Sequence, residues 1–99
     1  MAEENQKSIS DWIEQTFGPV GSNARVVARA NEEMAELIRS VTIDDNHPDL
    51  AEEMADVVIV LYRAATRLGV DLHQEIDRKM AVNRGRKWQL DGSGCGYHT

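Results

Sequence analysis

Cysteine, proline and aromatic residues are scarce in this 99-residue chain, and no long hydrophobic run occurs in it. The lone Cys95 cannot form an intramolecular disulfide bond. The longest unbroken apolar run, Val57–Leu61, is far too short to cross a bilayer. The segment Met1–Lys7 is polar and acidic, unlike a secretory signal. We therefore expect a cytoplasmic protein without a membrane partner.

Positive charge is also in short supply, and the net charge is −6. This balance argues against a nucleic-acid binder, because affinity for the phosphate backbone comes from a basic face. The charges are nevertheless clustered. Near the C-terminus lie Arg78, Lys79, Arg84, Arg86 and Lys87, and upstream lie the acidic groups Glu32, Glu33, Glu36 and Glu52, Glu53, Asp56. A chain with both kinds of cluster could hold a metal ion and a phosphate together.

The length predicts a single domain, residues 1–99, and the hydrophobic periodicity predicts an all-α fold. We expect four helices, running from Ser8 or Ser10 to Phe17, from near Ser22 to Val41, from Pro48 to Leu68, and from Asp71 to Arg86 or Trp88. The helical core would span about residues 8–88. The glycine-rich tail, residues 89–99, would be flexible or ordered only over a ligand.

The second and third helices each carry two carboxylates three residues apart, Glu33 with Glu36 and Glu53 with Asp56. At about 100° per residue, each pair lies on one face of its helix. The short loop between the helices makes them antiparallel neighbours, which would bring the four carboxylates to one site. Oxygen ligands in that number suit Mg²⁺ or Mn²⁺. A ferritin-like di-iron site would need Glu-x-x-His pairs, and a single acidic pair alone would indicate only a solvated face.

These runs resemble the motif of a known family. Asn31–Leu37 reads N-E-E-M-A-E-L and Glu52–Val57 reads E-E-M-A-D-V, which resemble the MazG-like motif E-E-x-x-E, spacer, E-x-x-D. The segment Lys79–Trp88 is similar to the downstream basic K-x-x-x-N-x-x-R segment of that family, and Trp12 and Phe17 are similar to its upstream positions. The resemblance extends from about residue 12 to about residue 88.

The resemblance implies a four-helix, MazG-like bundle completed by dimerisation, as a homodimer or a dimer of dimers. It implies an enzyme that uses Mg²⁺, or Mn²⁺ in its place, to split a ribo- or deoxyribonucleoside triphosphate into the monophosphate and pyrophosphate. Carried onto this chain, it makes four residues the metal ligands: Glu33, Glu36, Glu53 and Asp56. The second domain of longer members is missing, so we do not expect regulation of their kind.

Two further carboxylates, Glu32 and Glu52, are candidates for the catalytic base that takes a proton from the attacking water. Glu32 could instead orient a water beside the ligands. The sequence does not select one of them. His47, His73 and His98 have no partners at metal-ligand spacing, and we expect no role for them.

The fourth helix carries candidate substrate contacts. Lys79, Asn83 and Arg86 follow one another at spacings of four and three, so they share a face that could line a phosphate path. The family resemblance favours that role. Trp12 and Trp88 are candidates to stack on the base, although a tryptophan in so small a domain is more often part of the core.

Two other functions fit the same sequence features. One is a non-catalytic helical module whose acidic face meets a basic protein, and binding of a divalent cation would distinguish it from the enzyme. The other is a metal-dependent phosphohydrolase that releases orthophosphate instead of pyrophosphate.

Independently of function, Val57–Leu61 is apolar on every side of its helix, and four short helices can cover only part of that surface. We therefore expect a homo-oligomer.

Overall fold

The computed structural model describes residues 3–98, which form four helices and a short antiparallel hairpin. The elements are α1 (Gln6–Phe17), α2 (Asn23–Ile43), α3 (Leu50–Arg67), α4 (Leu72–Gly85), β1 (Trp88–Leu90) and β2 (Gly96–His98). The prediction of an all-α fold with four helices is confirmed, and the hairpin is an addition to it. No helix within residues 3–98 is long and apolar enough to cross a membrane.

Local capping signals set the starts of α2 and α4. The Ser22 hydroxyl accepts a hydrogen bond from the backbone N–H of Arg25 at 3.2 Å. The Asp71 carboxylate accepts one from the backbone N–H of Gln74 at 2.9 Å. Both caps occupy the predicted positions, because a short polar side chain there satisfies an otherwise unpaired donor of the first turn. Gly69, with a φ of 73°, ends α3 in the left-handed conformation that glycine adopts at low cost.

Helix α1 ends at Phe17 as predicted, whereas its start, the start of α3 and the end of α4 differ from the prediction. The N-cap of α1 is Asn5, which accepts from the backbone N–H of Ser8 at 2.8 Å, while the Ser8 hydroxyl accepts from the backbone N–H of Asn5 at 2.9 Å. This reciprocal box uses serine where glutamate or glutamine is usual, so the sequence pattern does not reveal it. Helix α3 begins at Leu50, two residues after Pro48, and α4 ends at Gly85, before Arg86.

Helices α2 and α3 form the main contact of the domain, and α1 packs on α3. Helices α2 and α3 run antiparallel. Ser40, late in α2, contacts Glu53, early in α3, whereas the earlier Glu33 lies near the later Asp56. The buried apolar side chains are few and mostly small: Ile13, Val26, Ala30, Val57, Ala64 and Ala65. The domain therefore has a thin core that leaves polar groups close to the helix contact.

Helix α4 extends away from this three-helix core and makes at most slight contacts with it. The radius of gyration is 16.1 Å, whereas a compact domain of this length has about 13 Å. The expected four-helix bundle is therefore not closed within one chain. Three helices pack together, and the fourth projects from them.

The side chain of Gln6 in α1 holds the junction between α3 and α4. Its Nε2 donates to Thr66 Oγ1 at 3.1 Å and to the carbonyl of Val70 at 2.8 Å. Its Oε1 accepts from the backbone N–H of Leu72 at 2.7 Å. The direction in which α4 leaves the core is thus fixed by an amide at the opposite end of the sequence.

The glycine-rich tail forms the hairpin, contrary to the expectation that it is flexible or ordered only over a ligand. Trp88 pairs with His98 at its open end, and the Trp88 indole N–H donates to the carbonyl of Asn83 at 2.8 Å. A Cβ at Gly96 would lie 2.9 Å from the carbonyl oxygen of Gln89, so the close strand approach requires glycine there.

Large apolar side chains remain exposed on α3 and α4. Five of these side chains have more than a third of their surface accessible: Met54, Val58, Leu61, Ile76 and Met80. Val57 is buried, so the apolar segment Val57–Leu61 faces the core on one side and is uncovered on the other. The expectation that four helices cannot cover this segment agrees with the exposure seen in residues 3–98.

Candidate active site

The contact between α2 and α3 brings three predicted metal ligands together around Glu33. Glu33 is buried, with a relative exposure of 7%. It follows Val26 and Ala30, which are also buried, along one stripe of α2. The charges of Glu36 and Asp56 act on its carboxylate. Carboxylates from two helices therefore lie close enough for their charges to act on Glu33 at the edge of a thin core.

Arg29 is the counter-ion of this cluster. Its Nη2 forms an ion pair with Glu33 Oε1, and its Nη1 donates to Glu32 Oε2 at 2.8 Å. The pair is local, because Arg29 lies one helical turn before Glu33. One guanidinium thus interacts with the charges of three carboxylates, those of Glu32, Glu33 and Glu36.

Burial raises the pKa of Glu33 above its ordinary value, because the ionised carboxylate loses hydration. Arg29 opposes this shift, whereas the charges of Glu36 and Asp56 raise the pKa further. Ionised Glu33 is therefore less favourable here than in water, and a further cation beside it would offset this penalty. Several carboxylate oxygens directed to one point are the ligands that hard divalent cations prefer. Glu33, Glu36 and Asp56 offer ligands of this chemical type, which suits Mg²⁺ or Mn²⁺, but they are not among the described residues whose ligand atoms lie within 4.8 Å of one another.

Glu53, the fourth predicted ligand, points to a different set of neighbours. Its Oε1 accepts a hydrogen bond from the Ser40 hydroxyl at 2.6 Å. Its carboxylate also groups with His47 and Asp49, whose ligand atoms and its own all lie within 4.8 Å of one another. The charge on Glu53 is not among those that shift the pKa of Glu33. The structure thus lets the charges of Glu36 and Asp56 act on Glu33. Glu53 belongs instead to the one group of residues 3–98 whose possible ligand atoms all lie within 4.8 Å of one another.

The sequence interpretation set His47 aside, and the structure brings it next to two carboxylates. Its Nδ1 accepts from the backbone N–H of Asp49 at 3.1 Å, in the turn that leads into α3. In the sequence, His47, Asp49 and Glu53 lie on the two sides of the start of α3. Their spacing is not a standard metal-ligand pattern, so the sequence alone does not reveal the group.

The two candidate bases differ in their surroundings. Glu32 is exposed and bound to Arg29, on the solvent side of the buried Glu33. Glu52 is exposed in the first turn of α3. Neither position selects one residue as the base.

A cavity of about 490 Å³ opens between α1, α2 and α3 beside the cluster, and Glu33 and Asp56 form part of its wall. Its volume lies within the range of about 300–1,000 Å³ that is usual for small-molecule sites. Trp12 and Phe17 line the same cavity, with their rings edge to face at a centroid distance of 5.6 Å. Trp12 is 54% exposed, so it is not the core residue that so small a domain favours.

The arginine Arg63 also lines the cavity, where it is held on two sides. Its Nε donates to Glu14 Oε1 at 3.0 Å, and its Nη2 donates to the carbonyl of Gly18 at 2.7 Å. These bonds tie α3 to the end of α1 and fix the wall that carries Phe17. This role of Arg63 is not visible in the sequence, because both partners lie more than 40 residues away along the chain.

The predicted substrate contacts on α4 lie elsewhere. Among the described residues that line the cavity, none belongs to α4 or to the hairpin. Lys79 and Asn83 lie on α4, which leaves the core. Arg86 comes directly after α4 and contacts the His98 ring at 3.4 Å. Trp88 lies in β1, against the end of α4. One chain therefore does not bring these four residues to the carboxylates, because α4 diverges after Gly69.

Comparison with known proteins identifies relatives along almost the whole chain. A dATP/dGTP diphosphohydrolase of Cyanophage S-2L is 38% identical over 95 residues, which are 96% of this chain and 85% of that protein. A dATP/dGTP diphosphohydrolase of Salmonella phage PMBT28 is 34% identical over 94 residues, or 95% of this chain. The chain spans only 30% of that second relative.

A solved structure has the same fold. It is the Cyanophage S-2L MazG-like pyrophosphohydrolase bound to dGDP and three catalytic Mn²⁺ ions per active site. The TM-score is 0.76 at 36% sequence identity, and the match covers 95% of this chain and 92% of that one. The MazG-like family profile matches residues 28–94, which include the carboxylates of α2 and α3. The chain belongs to the MazG-like family.

Proposed function

We propose that this protein is a nucleotide pyrophosphohydrolase that cleaves a deoxynucleoside triphosphate into the monophosphate and pyrophosphate. The observation that carries the proposal is the buried Glu33, which lies with Asp56 at the wall of a cavity that Trp12 and Phe17 also line, and on which the charge of Glu36 acts. A triphosphate substrate needs its charge neutralised beside a pocket for its base. The two phage relatives, both named dATP/dGTP diphosphohydrolase, favour a purine deoxynucleotide.

The cofactor is a divalent cation held by Glu33, Glu36, Glu53 and Asp56, with Mg²⁺ as the main ion and Mn²⁺ as a substitute. The Mn²⁺ ions of the S-2L relative support this class of cofactor. A bound divalent ion neutralises phosphate charge and lowers the pKa of a coordinated water. Helices α2 and α3 contribute the ligands from rigid elements, which suits a site that has to hold a fixed geometry.

The remaining side chains of the site bind and orient the substrate. Glu32 or Glu52 accepts the proton of the attacking water. Trp12 and Phe17 offer aromatic surface to the base, and the apolar walls of the cavity exclude water around it. Arg29 can balance negative charge of the cluster, since it already pairs with Glu33.

Lys79, Asn83 and Arg86 bind the phosphates, and Trp88 contacts the nucleotide, in an assembly of two or more chains. In a single chain α4 lies apart from the carboxylates. The exposed apolar side chains of α3 and α4 supply the surface for such an assembly, as a homodimer or a dimer of dimers. Assembly therefore serves both to cover apolar surface and to complete the site.

The substrate class is tested by a screen of all ribo- and deoxyribonucleoside triphosphates with Mg²⁺ and, separately, with Mn²⁺. We expect purine deoxynucleotides to be hydrolysed fastest, with the monophosphate and pyrophosphate as products resolved by chromatography. Release of orthophosphate and a diphosphate would instead identify the alternative phosphohydrolase. The absence of both hydrolysis and cation binding would favour the non-catalytic interaction module.

The metal ligands are tested by thermal melts of wild type, Glu53→Gln and Asp56→Asn in EDTA, Mg²⁺ and Mn²⁺. In EDTA we expect both variants to be as stable as wild type or more so, because Asp56→Asn removes a charge that acts on Glu33 and Glu53→Gln removes one beside Asp49. The cation should raise the Tm of wild type only, since a ligand that binds the folded state stabilises it by mass action. Turnover should fall by orders of magnitude in both variants.

A matched control for these variants is Asp77→Asn, which removes an exposed carboxylate of α4 outside the cluster. It should keep both the cation-induced rise in Tm and the turnover of wild type. Equal Tm shifts in wild type, Glu53→Gln and Asp56→Asn would rule out this ligand assignment.

The phosphate contacts are tested by Lys79→Ala and Arg86→Ala. Each should raise KM for the triphosphate and lower kcat/KM, with a loss of about 1.5–3 kcal/mol for a charge-assisted hydrogen bond. Binding of Mg²⁺ in the absence of nucleotide should not change. Arg78→Ala is the control, because Arg78 contacts Glu75 within α4. Kinetics like those of wild type in both test variants would move the phosphate site elsewhere.

The assembly is tested by sedimentation at micromolar concentration. We expect a dimer or tetramer, because a monomer would expose the apolar faces of α3 and α4 together. Met80→Glu, which puts a charge on the exposed face of α4, should weaken the assembly and reduce turnover. A folded 11.1 kDa monomer with full activity would contradict both the assembly and its role in the site.

A further inference from the structure

Ser40 lies on the same face of α2 as the buried carboxylate cluster. It follows Glu36 by four residues and Glu33 by seven, which places the three side chains along one helix face. Its hydroxyl crosses to α3 and donates to Glu53 Oε1 at 2.6 Å in a partly buried contact. Ser40 is therefore the residue of α2 that directly contacts the fourth predicted ligand.

The direction of this hydrogen bond is unusual for a serine in a helix. A helical serine or threonine hydroxyl commonly bonds to the carbonyl four residues earlier in its own helix. Thr42 does so, with its Oγ1 donating to the carbonyl of Ile38 at 2.7 Å. Ser40 instead directs its proton to a carboxylate of the neighbouring helix, at the short distance typical of a charge-assisted bond.

Glu53 has two further polar neighbours besides Ser40. His47 and Asp49 lie close enough that their ligand atoms and that of Glu53 are mutually within 4.8 Å. A glutamate side chain has three rotatable bonds, so without a restraint its carboxylate can leave this position for others. The Ser40 bond holds one oxygen of the carboxylate and leaves the other available.

We propose that Ser40 is a positioning residue, whose hydroxyl orients the Glu53 carboxylate as a ligand of the divalent cation. The inference rests on the proposed function, in which Glu53 contributes to the cation site. Hydrogen bonds to metal-ligating carboxylates fix their orientation, and their loss typically weakens metal affinity by about 10- to 100-fold. Ser40 acts through Glu53 and does not itself contact substrate.

A purely structural role for the same hydrogen bond has different consequences. If it only joined α2 to α3, its removal would lower the Tm in EDTA and leave the affinity for the cation unchanged. A positioning role weakens cation binding even where the metal-free fold is intact. Cation affinity measured without nucleotide thus separates the two roles.

The experiment is calorimetric titration of Mn²⁺ into nucleotide-free wild type, Ser40→Ala, Ser40→Thr and Thr42→Ala, with melts in EDTA as the check of folding. We expect Ser40→Ala to bind Mn²⁺ about tenfold more weakly than wild type. Ser40→Thr retains a hydroxyl and should restore most of the affinity. Thr42→Ala loses a hydroxyl that bonds within α2, so its affinity should match wild type.

A second comparison uses Glu53→Gln as the background. If Ser40 acts through Glu53, adding Ser40→Ala to Glu53→Gln should not weaken Mn²⁺ binding further. Equal affinities of Ser40→Ala and wild type, or of Ser40→Thr and Ser40→Ala when both fold, would overturn the positioning role alone. No binding of Mn²⁺ by wild type would overturn the cation site and, with it, this inference.

Discussion

The burial of a carboxylate at the contact between α2 and α3 is the constraint on which the rest of this domain depends. Glu33 lies on the stripe that includes Val26 and Ala30, so the packing of the two helices removes its charge from water. Glu36 and Asp56 add like charge at the same place. Hydrophobic packing of α2 on α3 and repulsion within the cluster therefore oppose each other, and Arg29 supplies only part of the compensation.

The features that the sequence predicted correctly depend on local geometry. The caps at Ser22 and Asp71 and the end of α3 at Gly69 follow from short-range hydrogen bonds and from backbone conformation. The spacing of Glu33 and Glu36 likewise fixes a shared face as soon as the helix forms. Helix periodicity therefore predicts which carboxylates share a helix face, whereas their role as metal ligands stays a prediction.

The features that the sequence did not predict depend on partners far away in the chain. The orientation of Glu53 is set by Ser40 in another helix, and helix periodicity cannot give a side-chain rotamer. The direction of α4 is set by Gln6 from the start of the chain, so the spacing of Lys79 and Arg86 could predict a shared face but not its distance from the carboxylates. The hairpin strands have three residues each, too few to show an alternating pattern.

The elevated pKa of Glu33 connects cation binding to pH. Because the folded chain holds the proton of Glu33 more tightly than the unfolded chain, this group favours folding most strongly below its ordinary value of 4.5. That contribution is lost as the pH rises through the raised pKa. At the proposed site a cation would need the ionised form and would compete with the proton for the same oxygens, so we expect its affinity to fall as the pH drops through that range. Burial thus makes the ionised form of Glu33 unfavourable. A cation bound at the proposed site would offset this cost, so burial would increase the free energy gained on binding it.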